Sequence, residues 1–138
     1  MSIQLKGTKE EIAEAANVRK AILPLVEQAV IIVEQSGQAE RSAQKFQDVN
    51  KRTLRLLKSL DKVADAPFWI ENFSGLSRYI AQTEGALENA KAANEADAVE
   101  LFTGYLERMP RDLAQRMWDK SRQEPDEIEE IIRKASTR

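Results

Sequence analysis

The feature that most constrains the fold is a repeat of apolar residues at alternating steps of three and four along two stretches of the chain. The earlier stretch contains Ala39, Ser42, Phe46, Val49, Thr53, Leu56, Leu60 and Val63, and the later one Trp69, Phe73, Leu76, Ile80, Thr83, Leu87 and Ala90. A period near 3.5 places such residues on one side of an α-helix, as in helical bundles. Only five glycines and four prolines interrupt the 138 residues, which disfavours a turn-rich β fold. The sequence therefore predicts an all-α protein, an elongated antiparallel bundle of about five to six helices.

Two long helices are predicted from these repeats, over residues 38–64 and 67–93, with shorter helices towards the C-terminus. Asp65 is expected to cap the second of them, with Pro67 in its first turn. Because the repeat continues across Ser74 and Gly75, this helix is expected to be unbroken.

Proline and asparagine mark the boundaries expected in the last third of the chain. Asn94 is expected to cap a fourth helix that Pro110 ends. A short fifth helix is predicted to follow, and a sixth after Pro125.

The first helix is predicted to begin at a capping box formed by Thr8 and Glu11 and to run to about Gln35, where Gly37 is a natural stop. Pro24 lies inside this span and predicts either a kink or a split after Leu23.

Beyond Ile22 the apolar residues of this first helix cover nearly its whole circumference. A helix that is apolar on all sides is buried on all sides. It is therefore expected to be either the central helix of the domain or half of a subunit interface. The residues predicted for a homodimer interface are Val18, Leu25, Ile31 and Ile32.

A basic face on the second helix is the clearest candidate binding surface. It consists of Arg41, Lys45, Lys51, Arg52, Arg55, Lys58 and Lys62, lying opposite the apolar repeat. Such a face can follow phosphates or bind an acidic protein surface, although an amphipathic helix commonly carries one simply for solvation. Residues 1–69 carry a net charge of +2 and residues 70–138 of −4, so the two halves could also pair with each other, within one chain or between two.

Two smaller groups of residues are weaker candidates. Phe68 departs from the apolar repeat that accounts for Trp69 and Phe73, and it is therefore predicted to be exposed towards a partner. A pocket near Phe68 and Trp69 for a small apolar ligand is a third interpretation.

The cations between residues 108 and 122 lie beside Met109, Met117 and Trp118, which more often belong to a core than to a binding surface.

The absence of histidine and cysteine narrows the chemistry further. It removes catalytic triads, imidazole bases, disulfides and thiolate metal sites. We therefore predict a protein that is not an enzyme, with no cofactor and no metal.

The most apolar stretch, residues 21–33, is too short and too interrupted to span a bilayer, which needs about 20 residues. The predicted location is cytoplasmic, without membrane association.

The sequence thus predicts a single helical domain over residues 1–138, with residues 1–7 flexible and residues 136–138 frayed. The predicted function is non-enzymatic protein–protein interaction of a regulatory or accessory kind, as a homodimer. The alternative is binding of nucleic acid through the basic face of the second helix.

Overall fold

Five helices make up most of the computed structural model, which describes residues 3–39 and 44–136. They are α1 (Lys9–Ala39), α2 (Gln44–Leu60), α3 (Ala66–Ala92), α4 (Ala96–Gln123) and α5 (Pro125–Ser136). Within these two ranges no strand occurs, and the one β-bridge joins Lys6 to Asp65. The predicted all-α bundle of five to six helices is therefore confirmed.

The start of α1 confirms the predicted capping box. The Glu11 amide donates to the Thr8 hydroxyl at 3.1 Å, and the Thr8 amide donates to the Glu11 carboxylate at 2.8 Å. The helix is not split at Pro24, which lies inside it on the exposed side. Ile22 and Val26 flank the proline and are buried at 0% and 4% exposure, so packing offsets the hydrogen bond that proline cannot donate.

The predicted boundary between the first two helices is wrong. α1 continues through Gly37 to Ala39, beyond the predicted start of the second helix at residue 38, and α2, described over Gln44–Leu60, ends before the predicted residue 64. Gly37 serves a close approach instead of a helix stop, because a Cβ there would lie 2.6 Å from the Asn50 amide nitrogen. The long helices are α1, α3 and α4, with 31, 27 and 28 residues.

The cap and the continuity predicted for α3 are both confirmed. The Asp65 carboxylate accepts from the Phe68 amide at 3.2 Å, and α3 runs unbroken across Ser74 and Gly75. The backbone of Lys6 bonds on both sides of Asp65, to the Ala64 carbonyl at 2.8 Å and from the Ala66 amide at 2.9 Å. Part of the leading segment predicted to be flexible is therefore attached to this turn, whereas residues 1–2 and 137–138 lie outside the described ranges.

Asn94 ends α3 rather than capping the next helix, which corrects the prediction. Its φ of 57° is left-handed, and its amide donates to the Lys91 carbonyl at 3.2 Å. The Glu95 amide donates to the Ala90 carbonyl at 3.0 Å, which completes a Schellman motif. Asparagine tolerates this conformation better than most residues, so its presence here has a local reason.

Pro110 does not end a helix, so the predicted fourth and fifth helices are one helix, α4. Met109 and Pro110 are both buried, as are Leu113 and Ala114 in the next turn. Burial of these side chains against the other helices offsets the one backbone hydrogen bond that proline removes.

The core lies along one side of α1, where α2, α3 and α4 pack against it. α1 packs against α2, α3 and α4, while α5 covers α2 and the end of α4. Among the largest completely buried side chains are Trp69, Ile22, Leu56, Leu57 and Ile128. The prediction that α1 is buried on all sides is therefore wrong: one side packs into the core, and the opposite side, with Pro24, Glu27 and Ile31, is exposed.

Candidate functional site

The four residues predicted to form a dimer interface do not share one surface. Val18 is 4% exposed and belongs to the chain's own core. Leu25 and Ile32 are half-buried and pack against that core. Ile31 is 53% exposed, so within one chain this side chain is not covered.

The predicted basic face of α2 is largely solvated but partly paired. Arg41 lies outside the described residues. Lys45, Lys51, Arg55, Lys58 and Lys62 are exposed, and Arg52 is half-buried.

Three cations of this face bind other parts of the same chain. Arg55 is 3.0 Å from the Glu129 carboxylate of α5, and Lys58 is 3.5 Å from Glu34 of α1. Arg52 donates to the Ser121 carbonyl at 3.1 Å and lies 3.6 Å from Glu129. The basic second helix and the acidic second half of the chain therefore meet within one molecule.

A cavity of about 560 Å³ lies between α1, α2 and α4 near Trp118. The Trp118 ring is 5.8 Å from Phe46, and the Arg122 guanidinium lies 5.9 Å from the indole. Among the described residues, the Trp118 indole nitrogen and the Asn50 side-chain oxygen have no hydrogen-bond partner. Met109 and Met117 are buried, which leaves Trp118 the half-buried member of this group.

Phe68, predicted to be exposed, is half-buried and borders a cavity of about 600 Å³ at the end of the bundle where α3 begins. Its ring packs edge-on against Trp69 and Phe73, with centroids 6.0 and 6.1 Å away. We call this cavity the basal pocket; it lies between residues 3–6, the α2–α3 turn, the first turns of α3, and α5.

The walls of the basal pocket combine apolar and charged side chains. They include Ile3, Lys6, Lys62, Val63, Phe68 and Ile131. The sequence predicted a pocket near Phe68 but not the contribution of residues 3–6. This segment is attached through the single bridge between Lys6 and Asp65, and so short a segment has no periodic pattern from which its position could be predicted.

Carboxylates on the α5 side of the basal pocket are bound to neighbouring groups. A hydrogen bond shared with Glu127, together with repulsion between the two carboxylates, raises the pKa of Glu124 above its ordinary value. The same hydrogen bond, and then the Lys120 ammonium 3.4 Å away, lowers the pKa of Glu127. Hydrogen bonds from Arg133 lower the pKa of Glu130. Glu127 and Glu130 are therefore ionised at neutral pH.

The other candidate surface is formed by the far halves of α3 and α4. Between Ile80 and Leu113 only Thr83, Ala90, Met109 and Pro110 are buried, and none of them belongs to the main core cluster. We call residues 81–108 the arm. Within the arm only Thr83 and Ala90 are buried, although α3 and α4 contact each other.

Apolar side chains remain accessible along the arm. The half-buried ones are Ala86, Leu87, Ala98, Val99, Phe102, Tyr105 and Leu106, and Leu101 is 49% exposed. The arm also contains six acidic and two basic residues. These apolar side chains, which we call the apolar stripe, share the arm with an excess of exposed negative charge.

Neither a metal site nor a membrane-spanning segment is found in the described part of the chain. No group of three or more acidic side chains there is placed to hold a metal ion. None of the described helices has the length and apolarity needed to cross a bilayer.

Comparison with known proteins gives no relative: no protein family, no curated protein and no solved structure matches this chain.

Proposed function

We propose that this protein acts by binding another protein, and that the arm is the surface that binds. The observation that carries this proposal is the apolar stripe of residues 81–108, which is only half-buried and which the main core cluster does not cover. Two helices alone cannot bury an apolar stripe on every side, and helical bundles complete such stripes with further helices.

The charge of the arm indicates the kind of partner. Glu84, Glu88, Glu95, Asp97, Glu100 and Glu107 outnumber Lys91 and Arg108. Two arms of identical chains would bring like charges together, which disfavours arm-to-arm pairing. The partner that fits is a basic amphipathic helix that lays its apolar side on the stripe.

A titration with designed peptides tests this proposal. The probe is an 18-residue peptide with leucine at heptad positions a and d and lysine elsewhere, and the comparison peptide has glutamate in place of lysine. Backbone amide NMR shifts of the full chain report which residues respond. We expect shifts within residues 81–108 for the basic peptide, weaker binding at higher salt, and none of this with the acidic peptide.

Two matched variants separate the arm from α1. Leu101 and Ile31 are exposed to nearly the same extent, 49% and 53%, so aspartate at either position disturbs folding similarly little. We expect Leu101→Asp to weaken peptide binding about tenfold or more, and Ile31→Asp to leave it unchanged. The opposite result, or shifts confined to α1, would refute the arm as the binding surface.

Homodimerisation is a separate prediction. Of the four residues predicted for it, Ile31 is the most exposed. Light scattering at micromolar concentration tests this prediction: a dimer that Ile31→Asp dissociates supports it, and a monomer at all concentrations contradicts it.

Nucleic-acid binding through α2 is the alternative. Lys45 and Lys51 are exposed and, among the described residues, form no ion pair, so they could contact phosphates. Arg52 and Arg55 are engaged with the chain itself, which reduces the available charge. A salt-dependent gel shift of duplex DNA that Lys45→Glu with Lys51→Glu abolishes would favour this alternative over the arm.

A further inference from the structure

The basal pocket has the size and surroundings of a small-molecule site. Its volume of about 600 Å³ falls within the range of about 300–1,000 Å³ that ligand pockets occupy. It lies at the end of the bundle where α3 begins, whereas the arm is formed by the distal halves of α3 and α4. The two surfaces can therefore be tested independently.

Apolar side chains from four separate segments line the basal pocket. Ile3 comes from the leading segment, Val63 from the α2–α3 turn, Phe68 from α3 and Ile131 from α5. Val63 and Phe68 join this pocket to the core, because Val63 is 8% exposed and Phe68 packs on the buried Trp69. Such a lining suits an aliphatic or aromatic group.

Residues 3–6 form one wall, which Lys6 attaches to the α2–α3 turn through its backbone. The two hydrogen bonds of Lys6 to Ala64 and Ala66 tie this segment to the turn. Leu5 packs against the core, while Ile3 on the same segment lines the pocket. This wall is thus built from main-chain bonds and one apolar anchor.

Lys6, Lys62 and Lys134 line the pocket together with three acids, and the acids are engaged with other groups. Of the three acids that line it, Asp65 caps α3, Glu127 pairs with Lys120, and Glu130 pairs with Arg133 and Lys134. Lys6 and Lys62 also line it, are exposed, and form no ion pair within the described residues. An anionic group bound in the pocket would complement these two ammonium groups.

We propose that the basal pocket binds an amphipathic carboxylate, with a hydrocarbon chain or ring against Ile3, Phe68 and Ile131 and its carboxylate near Lys6 and Lys62. The ligand class is defined by the combination of an apolar lining and two unpaired cations. An uncharged molecule of the same shape would gain only the apolar contacts.

Decanoate and decan-1-ol are the probes, because they share a hydrocarbon chain and differ in the head group. Each is titrated into the full chain while backbone amide NMR shifts are recorded. We expect decanoate to shift the amides of Lys6, Ala64, Ala66 and the α5 residues, and decan-1-ol to bind about tenfold more weakly. Equal binding of the two overturns the carboxylate assignment.

Paired charge reversals provide the matched control. Lys6→Glu with Lys62→Glu reverses the two pocket cations, and Lys45→Glu with Lys51→Glu reverses two exposed lysines of α2 outside the pocket. We expect the first pair to weaken decanoate binding about tenfold and the second to leave it unchanged. The same loss in both pairs, shifts outside the pocket, or no binding at millimolar decanoate would overturn the proposal.

The outcome is independent of the peptide titration. Failure of the decanoate experiment leaves the response of residues 81–108 to a basic peptide untouched, and the reverse also holds.

Discussion

α3 belongs to two regions that differ in how its apolar side is covered. Its first half, with Trp69 and Phe73, is enclosed by the core, at 0% and 2% exposure. Its second half continues the same three-and-four spacing through Leu87 and Ala90, yet only Thr83 and Ala90 are buried there and neither belongs to the main core cluster. One periodic pattern thus serves two purposes, and only the tertiary contacts distinguish a filled core from an unpartnered stripe.

The largest expected difference is in the stability lost when an aromatic side chain is removed from each of the two regions. Trp69→Ala removes a completely buried ring whose indole donates to the Val63 carbonyl at 2.9 Å, and we expect a loss of about 3–5 kcal/mol. Phe102→Ala in the arm should cost about 1 kcal/mol or less, because that ring is only half-buried. Urea unfolding followed by circular dichroism measures both, and similar losses would mean that the arm is part of the core.

Alanine substitution of a helical glycine should change the free energy of unfolding in opposite directions in the two regions. Gly37→Ala places a Cβ 2.6 Å from the buried, hydrogen-bonded Asn50 amide, so we expect a destabilisation of about 1–3 kcal/mol. Gly85 in the arm has open space around it, and Gly85→Ala should stabilise by about 1 kcal/mol through helix propensity. Thermal unfolding of both variants checks the prediction, which fails if the two shifts share a sign.

The N-terminal caps of α3, which begins in the core region, and of α4, which begins in the arm, also differ. Asp65 caps α3 through its side chain, so Asp65→Ala should cost about 1 kcal/mol. Glu95 precedes α4 without a side-chain hydrogen bond, so Glu95→Ser should gain a few tenths of a kcal/mol to about 1 kcal/mol. Chemical denaturation distinguishes these outcomes, and a costly Glu95→Ser would show that the carboxylate has another role.

The smallest expected effects are at the surface ion pairs. Arg55→Ala removes the pair with Glu129, and we expect about 0.2–1 kcal/mol because both side chains are substantially exposed. Lys91→Ala in the arm removes the pair with Glu88, for which about the same small value applies. Repeating both measurements in high salt should erase the difference from the unsubstituted chain; a loss above 2 kcal/mol for Arg55→Ala would show that α5 depends on this contact.

The sequence predicted elements best where a local interaction decides them. The Thr8 and Glu11 capping box, the Asp65 cap and the course of α3 follow from spacing alone, and the structure confirms all three. The helix ends predicted at Gly37 and Pro110 were wrong, although each residue type commonly ends a helix. At Gly37 the close approach of Asn50 explains the glycine, and at Pro110 the burial of the neighbouring side chains keeps α4 continuous.

The candidate sites were harder to predict because they depend on distant contacts. Nothing in the segment around Ile3 indicates that it lies beside α5, some 130 residues later in the chain. The arm had a weak signal in its small residues between Gly85 and Ala98, which are compatible with two helices packing closely without other neighbours. Ile31 and Val18 have similar hydrophobicity, and only the arrangement of α2, α3 and α4 separates the exposed one from the buried one.

Pro110 has a mechanical consequence for α4. It cannot donate to the Leu106 carbonyl, so the rod is least stiff in the turn that joins the arm to Leu113 and Met117. A force on the arm is therefore expected to bend α4 first in this turn, and because Met109 and Pro110 are buried there, the bend would be transmitted to the side chains packed around them.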